Sequence, residues 1–397
     1  MKNRLFNLLA IRPSVLAMLG MVALVGLGER LAERFLPIYL LALGSSIYAV
    51  GLLSGLQNLL GALYSFPGGY LSSRLGYKKA LLIFNLMAMA GFLIVAVFPY
   101  WQAVLVGAFF FIAWSAISLP ASMDLISQLV PKEKRAMGVS LHSLIRRFPM
   151  ALGPVIGGLF IAYWGEKNGV RLAFLLALIL ALVAIFFQQK FISEENKKND
   201  QQGEKNPFKL YSLMTMELRQ LLVSDILIRF CEQIPQAFVV IWCMKIISSP
   251  VTAPQFGLLT TIEMATAVLI YLPVAYYADR VGKRPFVIIT FIFFSLFPLL
   301  LMFSQHFSIL VIAFIIRGLK EFGEPSRKAM IMDLAPEDLK ASMFGLYYLI
   351  RDSVVSLAAF GGAFLWGISP RVNLLSAFVF GILGTLWFVK NTRTHDS

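Results

Sequence analysis

Apolar residues run along this chain in long stretches, without the polar residue at every second or fourth position that marks a water-facing strand or helix. A helix crossing a hydrocarbon core of about 30 Å needs about 20 mostly apolar residues. Stretches near that length or longer fall at residues 14–43, 47–72, 80–98, 101–128, 136–164 and 172–191. A polar stretch follows, with Glu194, Glu195, Lys197, Lys198 and Asp200 close together. Six more apolar stretches cover 218–247, 254–278, 286–304, 307–332, 339–368 and 372–389. The pattern predicts an all-α integral membrane protein with twelve transmembrane helices. Residues 1–192 form one six-helix bundle, 193–217 a linker and 218–397 a second bundle. The linker is expected to be a solvated, disordered tether. The first stretch is too long for a cleavable signal segment, and no small-residue cleavage site follows it.

The two halves repeat one another. A shift of 205 residues carries Leu129-Val130-Pro131 onto Leu334-Ala335-Pro336, Leu144-Ile145-Arg146 onto Leu349-Ile350-Arg351, Pro120 onto Pro325 and Gly157 onto Gly362. A shift of 206 carries Gly69-Tyr70-Leu71-Ser72-Ser73-Arg74-Leu75-Gly76-Tyr77-Lys78 onto Ala275-Tyr276-Tyr277-Ala278-Asp279-Arg280-Val281-Gly282-Lys283-Arg284. Arg30 and Glu33 are echoed by Arg229 and Glu232. Such duplication predicts pseudo-symmetric bundles.

Charge refines the picture. Only 14% of residues are charged, against about 25% in soluble domains. The net charge of +14 does not point to nucleic acid, because the basic residues sit in short loops. Lys2, Arg4, Arg12, Arg74, Lys78, Lys79, Lys132, Lys134, Arg135, the linker lysines, Arg280, Lys283, Arg284, Lys390 and Arg393 share one side. The opposite loops carry only Lys167, Arg171, Lys245 and Arg371. By the positive-inside rule both termini and the linker are cytoplasmic, in a plasma membrane such as a bacterial inner membrane. Cys231 and Cys243 form no disulfide framework, and three histidines offer no metal site. No metal and no cofactor are expected. No Gly-x-Ser-x-Gly, His-Glu-x-x-His or Walker sequence occurs, so no enzymatic activity is expected.

The loop Gly69-x-Leu71-x-x-Arg74-x-Gly76-x-Lys78-Lys79, with its second copy, resembles the cytoplasmic signature of the major facilitator superfamily of secondary transporters. The resemblance covers nearly the whole chain. It implies a gate made of Gly69, Arg74, Gly76, Lys78, Asp279, Arg280, Gly282 and Lys283. Ser73 stands where an acid is usual, and Ala275 where a glycine is usual. Gly153-Pro154-Val155-Ile156-Gly157-Gly158 resembles a fifth-helix segment of drug/proton antiporters in that family. Gly153, Pro154, Gly157 and Gly158 are expected to pack that helix closely. In the family fold, helices one, four, seven and ten line a central cavity and every third helix faces lipid.

Ionisable groups within spans are costly and mark functional cavities. Spans three, six, nine and twelve have none in their apolar centres, and span two offers only Gln57 and Asn58. Span one carries Glu29, Arg30, Glu33 and Arg34; span five, Arg146 and Arg147; span seven, Asp225, Arg229 and Glu232. Glu263 lies on span eight, Arg317, Lys320, Glu321 and Glu324 on span ten, and Arg351 and Asp352 on span eleven. The residues 317, 320, 321 and 324 predict one helical stripe. Arg30, Glu33, Arg146, Arg229, Glu232, Arg317, Glu321 and Arg351 are the candidate substrate and ion-pair residues. Glu263, Glu33, Glu232, Glu321 and Glu324 are the candidate proton carriers. Glu263 leads because its own helix gives it no basic neighbour. Arg351 and Asp352, adjacent in sequence, are expected to pair with other helices. Arg327 and Lys328 are expected to snorkel to the interface. Pro37, Pro120, Pro154, Pro235 and Pro325 are candidate bends. The central charges total +2 on spans one and five and −2 on spans seven, eight, ten and eleven.

These features point to a monomeric, lipid-embedded secondary transporter for a small charged, zwitterionic or amphipathic solute. A proton is the expected coupling ion, and the fifth-helix segment favours export. A proton-coupled importer of an organic anion or nutrient is the alternative, and a lipid-handling membrane protein a third.

Overall fold

A computed structural model of the chain describes residues 13–112, 135–191, 207–336 and 339–391. Every regular element among them is helical. Among the described residues, seven helices are long and apolar enough to cross a membrane. The longest, Arg135–Phe191, holds spans five and six, because Gly165 at φ 76° turns the chain within it. Spans two, three and eight are Ile47–Leu75, Tyr77–Val97 and Ala253–Val281. Spans nine, eleven and twelve are Arg284–Phe303, Lys340–Ile368 and Pro370–Asn391. Span seven is a broken helix, Met216–Gln236 and Val239–Ile246, bent by 42°. Span one is likewise broken, into Pro13–Glu33 and Leu36–Ala42, and span ten into Phe307–Leu319 and Glu324–Asp333. The two pieces of span ten, 13 and 10 residues long, are each too short to cross a membrane alone. Span four is described only over Trp101–Ile112. The architecture is the twelve-helix, all-α membrane fold.

Prolines account for the breaks. Pro37 opens the second segment of span one and Pro325 that of span ten. Pro235 lies just before the bend of span seven. A proline fixes φ and cannot donate to the preceding turn, so it suits the first turn of a helix and disrupts an interior. Pro154 lies within helical backbone ahead of the turn at Gly165. Pro120 lies outside the described residues. The stripe predicted for span ten is therefore interrupted at 320–323 rather than continuous.

The repeated loop has a backbone reason. Gly76 and Gly282, equivalent under the 206-residue shift, take φ 80° and 94°. A single residue at positive φ joins spans two and three, and glycine adopts it without steric penalty.

The chain packs as two compact units. Among described residues, the first comprises 13–45, 60–112, 135–191 and 252–258, and the second 46–59, 207–251, 259–336 and 339–391. The core of the second unit includes Leu218, Leu221, Phe291, Phe294, Met330, Met343 and Phe388. The polar stretch is not all tether. Pro207–Ser212 is helical, and Leu210 and Met214, one turn apart, bury themselves in that core. Thr215 accepts the Leu218 amide at 3.3 Å as an N-cap, and its hydroxyl donates to the Leu334 carbonyl at 3.1 Å.

In the first unit the span-five glycines meet backbone. A Cβ at Gly157 would lie 1.8 Å from the Leu31 carbonyl oxygen, and one at Gly153 would lie 2.6 Å from the Cβ of Arg30. Gly158 lies against the carbonyl of Ala253. The Leu31 carbonyl sits at the break in span one, where the Phe35 amide turns to Ala32 instead. Overpacking at such a contact costs about 1–3 kcal/mol. Gly157→Ala should therefore lower the thermal midpoint of the detergent-purified protein. Gly361→Ala, where a Cβ meets nothing within 4 Å, should leave it unchanged. Equal midpoints for the two variants would overturn this packing role.

Candidate functional site

The second unit gathers charged residues from spans seven, eight, ten and eleven into one continuous cluster. At its first tier Glu263 of span eight is 1% exposed. Its Oε1 is 3.3 Å from Arg317 Nε and 3.7 Å from Lys320 Nζ. The basic partners absent from its own helix come from span ten. The break after Leu319 swings Lys320 so that it also reaches Glu232 Oε1 at 2.7 Å. One ammonium is thus shared by two carboxylates. Arg317 is fixed independently: its Nη2 donates to Gln236 Oε1 at 2.6 Å, and its guanidinium lies over the Phe297 ring at 4.8 Å. Glu321 lies in the break itself, partly buried, its amide on the Gly318 carbonyl at 3.2 Å.

Arg229 links this tier to a second. It donates to Glu232 at 2.6 Å and reaches Glu324 at 3.5 Å and Asp225 at 3.9 Å. Asp225 is fully buried and also meets Arg327, Arg351 Nη1 at 3.3 Å and the Tyr347 hydroxyl at 3.2 Å. Arg327 does not snorkel. It is 1% exposed, and its Nη2 donates to both oxygens of Glu324 at 2.7 Å. An arginine one turn from an acid, both near the end of an apolar run, is drawn inward by its partner. The i,i+3 spacing from Glu324 was the available signal for it. Lys328 stays about half exposed, 3.4 Å from Glu324. Arg351 pairs across helices as expected, but it also donates to its neighbour Asp352 at 2.7 Å. Its long side chain folds back along the helix, with the guanidinium 4.1 Å from the Tyr348 ring centroid.

Arg327 alters the charge balance. Including it reduces the −2 of spans seven, eight, ten and eleven to −1, and Lys328 at Glu324 cancels the remainder. The second unit's cluster is internally neutral, so the predicted polarity survives only on spans one and five. There Arg30 pairs with Glu33. Glu29 is buried, and Arg34, Arg146 and Arg147 are partly buried.

Of the residues singled out as a gate, Gly69, Arg74, Asp279 and Arg280 lie on spans two and eight, with side chains outside the described ones. Lys78 Nζ donates to the Gln189 carbonyl at 3.2 Å, and Gln188 returns a bond to the Lys78 carbonyl at 2.7 Å. Lys283 pairs with Asp333. Gln236, Tyr347 and Thr290 join the site without having been expected there. Thr290 accepts the Gly323 amide at the break of span ten. Each is uncharged, and a census of charges passes over them.

A family model described as Major Facilitator Superfamily matches residues 18–249 and, again, 221–397. The chain is 25% identical over 387 residues to a multidrug resistance efflux pump, a PmrA homolog of Lactococcus lactis. That match covers 94% of this chain and 93% of the relative. It is 22% identical over 356 residues to an uncharacterized transporter of major-facilitator type from Methanocaldococcus jannaschii, with 88% of each covered. The crystal structure of the nucleoside transporter NupG shares the fold, with a TM-score of 0.83 at 11% identity over 96% of this chain and 100% of that one. A duplicated plan of six and six spans, matched twice by one family model, makes this chain a member of the Major Facilitator Superfamily.

Proposed function

We propose that the protein is a proton-coupled exporter of a small organic solute, working by alternating access in a plasma membrane with both termini cytoplasmic. The observation that carries this is Lys320 held between Glu232 and Glu263. A carboxylate this deeply buried has no water to stabilise its charge, so it is ionised with its cation or protonated without it. Protonating Glu263 gives Lys320 wholly to Glu232, while Arg317 stays anchored by Gln236. Proton loading and rearrangement of the ion pair then become one event, which is the requirement for coupling. Export is supported by the similarity to an efflux pump along nearly the full chain.

A second observation bears on the solute. Arg30, Arg34, Arg146 and Arg147 outnumber Glu29 and Glu33, leaving spans one and five with +2. That excess favours a solute carrying a carboxylate or phosphate, which a guanidinium grips with a planar fork.

Glu263→Gln, assayed in proteoliposomes with an imposed pH gradient and a panel of organic ions, should abolish gradient-driven accumulation while leaving exchange at equal pH. Unchanged gradient-driven rates would reject Glu263 as the coupling acid. Arg146→Lys should weaken anionic solutes about tenfold and spare neutral analogues, since an ammonium lacks the bidentate geometry. Uniform loss across the panel would assign Arg146 a structural role instead.

A further inference from the structure

Span twelve has no ionisable residue in its apolar centre, yet it carries Asn373, which is fully buried. The Asn373 side-chain amide donates to the Ile234 carbonyl of span seven at 3.1 Å and to the Gly362 carbonyl of span eleven at 2.8 Å. The Ile234 carbonyl is the one that the bend of span seven releases. In a continuous helix it would take the Phe238 amide. Here that amide closes a tighter turn onto Pro235 at 2.8 Å. A carbonyl stripped of its helical partner inside a membrane protein needs another donor. Gly362 completes the arrangement, since a Cβ there would lie 2.3 Å from the same Ile234 oxygen. At the bend span eleven thus offers a glycine and span twelve an amide.

The bend falls immediately after Glu232, Gln233 and Gln236. Gln233 accepts from Asn58 at 3.1 Å, and Gln236 holds Arg317. We propose that Asn373 is a positioning residue: by capping the released Ile234 carbonyl it sets the bend of span seven, and through that bend it places Glu232, Gln233 and Gln236 at the charged cluster. Leucine of similar volume at 373 would fill the space and leave the carbonyl without a donor. Span seven could then regain that bond only by straightening.

Two native cysteines bracket the bend. Cys231 precedes it and Cys243 follows it, and both are buried and free. Labelling by N-ethylmaleimide, measured on the detergent-purified full chain with either cysteine replaced by serine, reads the two sides separately. Asn373→Leu should raise the Cys243 labelling rate about tenfold, the order expected for one lost hydrogen bond, and leave Cys231 unchanged. Gly362→Ala, which displaces the same carbonyl from the other side, should give the same asymmetric result if the leucine variant fails to fold. Equal acceleration at both cysteines would reveal general loosening and overturn the proposal, as would no change at either. The labelling needs no transported solute and no proton gradient, so its outcome is separate from that of the Glu263 experiment.

Discussion

Within a membrane-spanning bundle no bulk water is present to solvate a charge or an open carbonyl, and each must find its partner in protein. Asp225 shows the consequence: Arg229, Arg327, Arg351 and Tyr347, from spans seven, ten and eleven, converge on one buried carboxylate. Removing one member of such a set strands the others in a buried, uncompensated state, at a cost of about 3–5 kcal/mol. The same demand governs the backbone. Each break in a charged span is accompanied by a specific neighbour: Gly157 at Leu31, Asn373 and Gly362 at Ile234, Thr290 at Gly323.

Much of this was legible in the sequence because it is local. Apolar length gave the spans, and a recurrent glycine between them marks the positive-φ joint at Gly76 and Gly282. Spacing of three and four residues anticipated the contacts of Arg30 with Glu33 and of Arg229 with Glu232 and Asp225. The features that escaped depend on distant segments. Pro325 marked a bend in span ten, but nothing in the periodicity showed that Lys320 at the break would reach both Glu232 and Glu263. Arg327 sits where basic residues ordinarily end a span, and its burial follows from Asp225, 102 positions earlier in the chain. Leu210 and Met214 lie in a polar setting, and their docking depends on Met330, Ile331 and Met343.

The two units differ in how they complete a shared device. Gly157 and Gly362, equivalent under the 205-residue shift, each press against a carbonyl released at a helix break. That backbone arrangement belongs to both halves of the repeat. Its polar completion does not, because the shift carries Asn373 onto Asn168, which is exposed near the joint of spans five and six. The charges diverge as well: arginines are in excess in the first unit, while the second balances its acids and bases internally. A balanced cluster can exchange ion-pair partners without changing its net charge. The duplicated backbone thus supplies the bends, and what differs between the halves is the side chains that finish them.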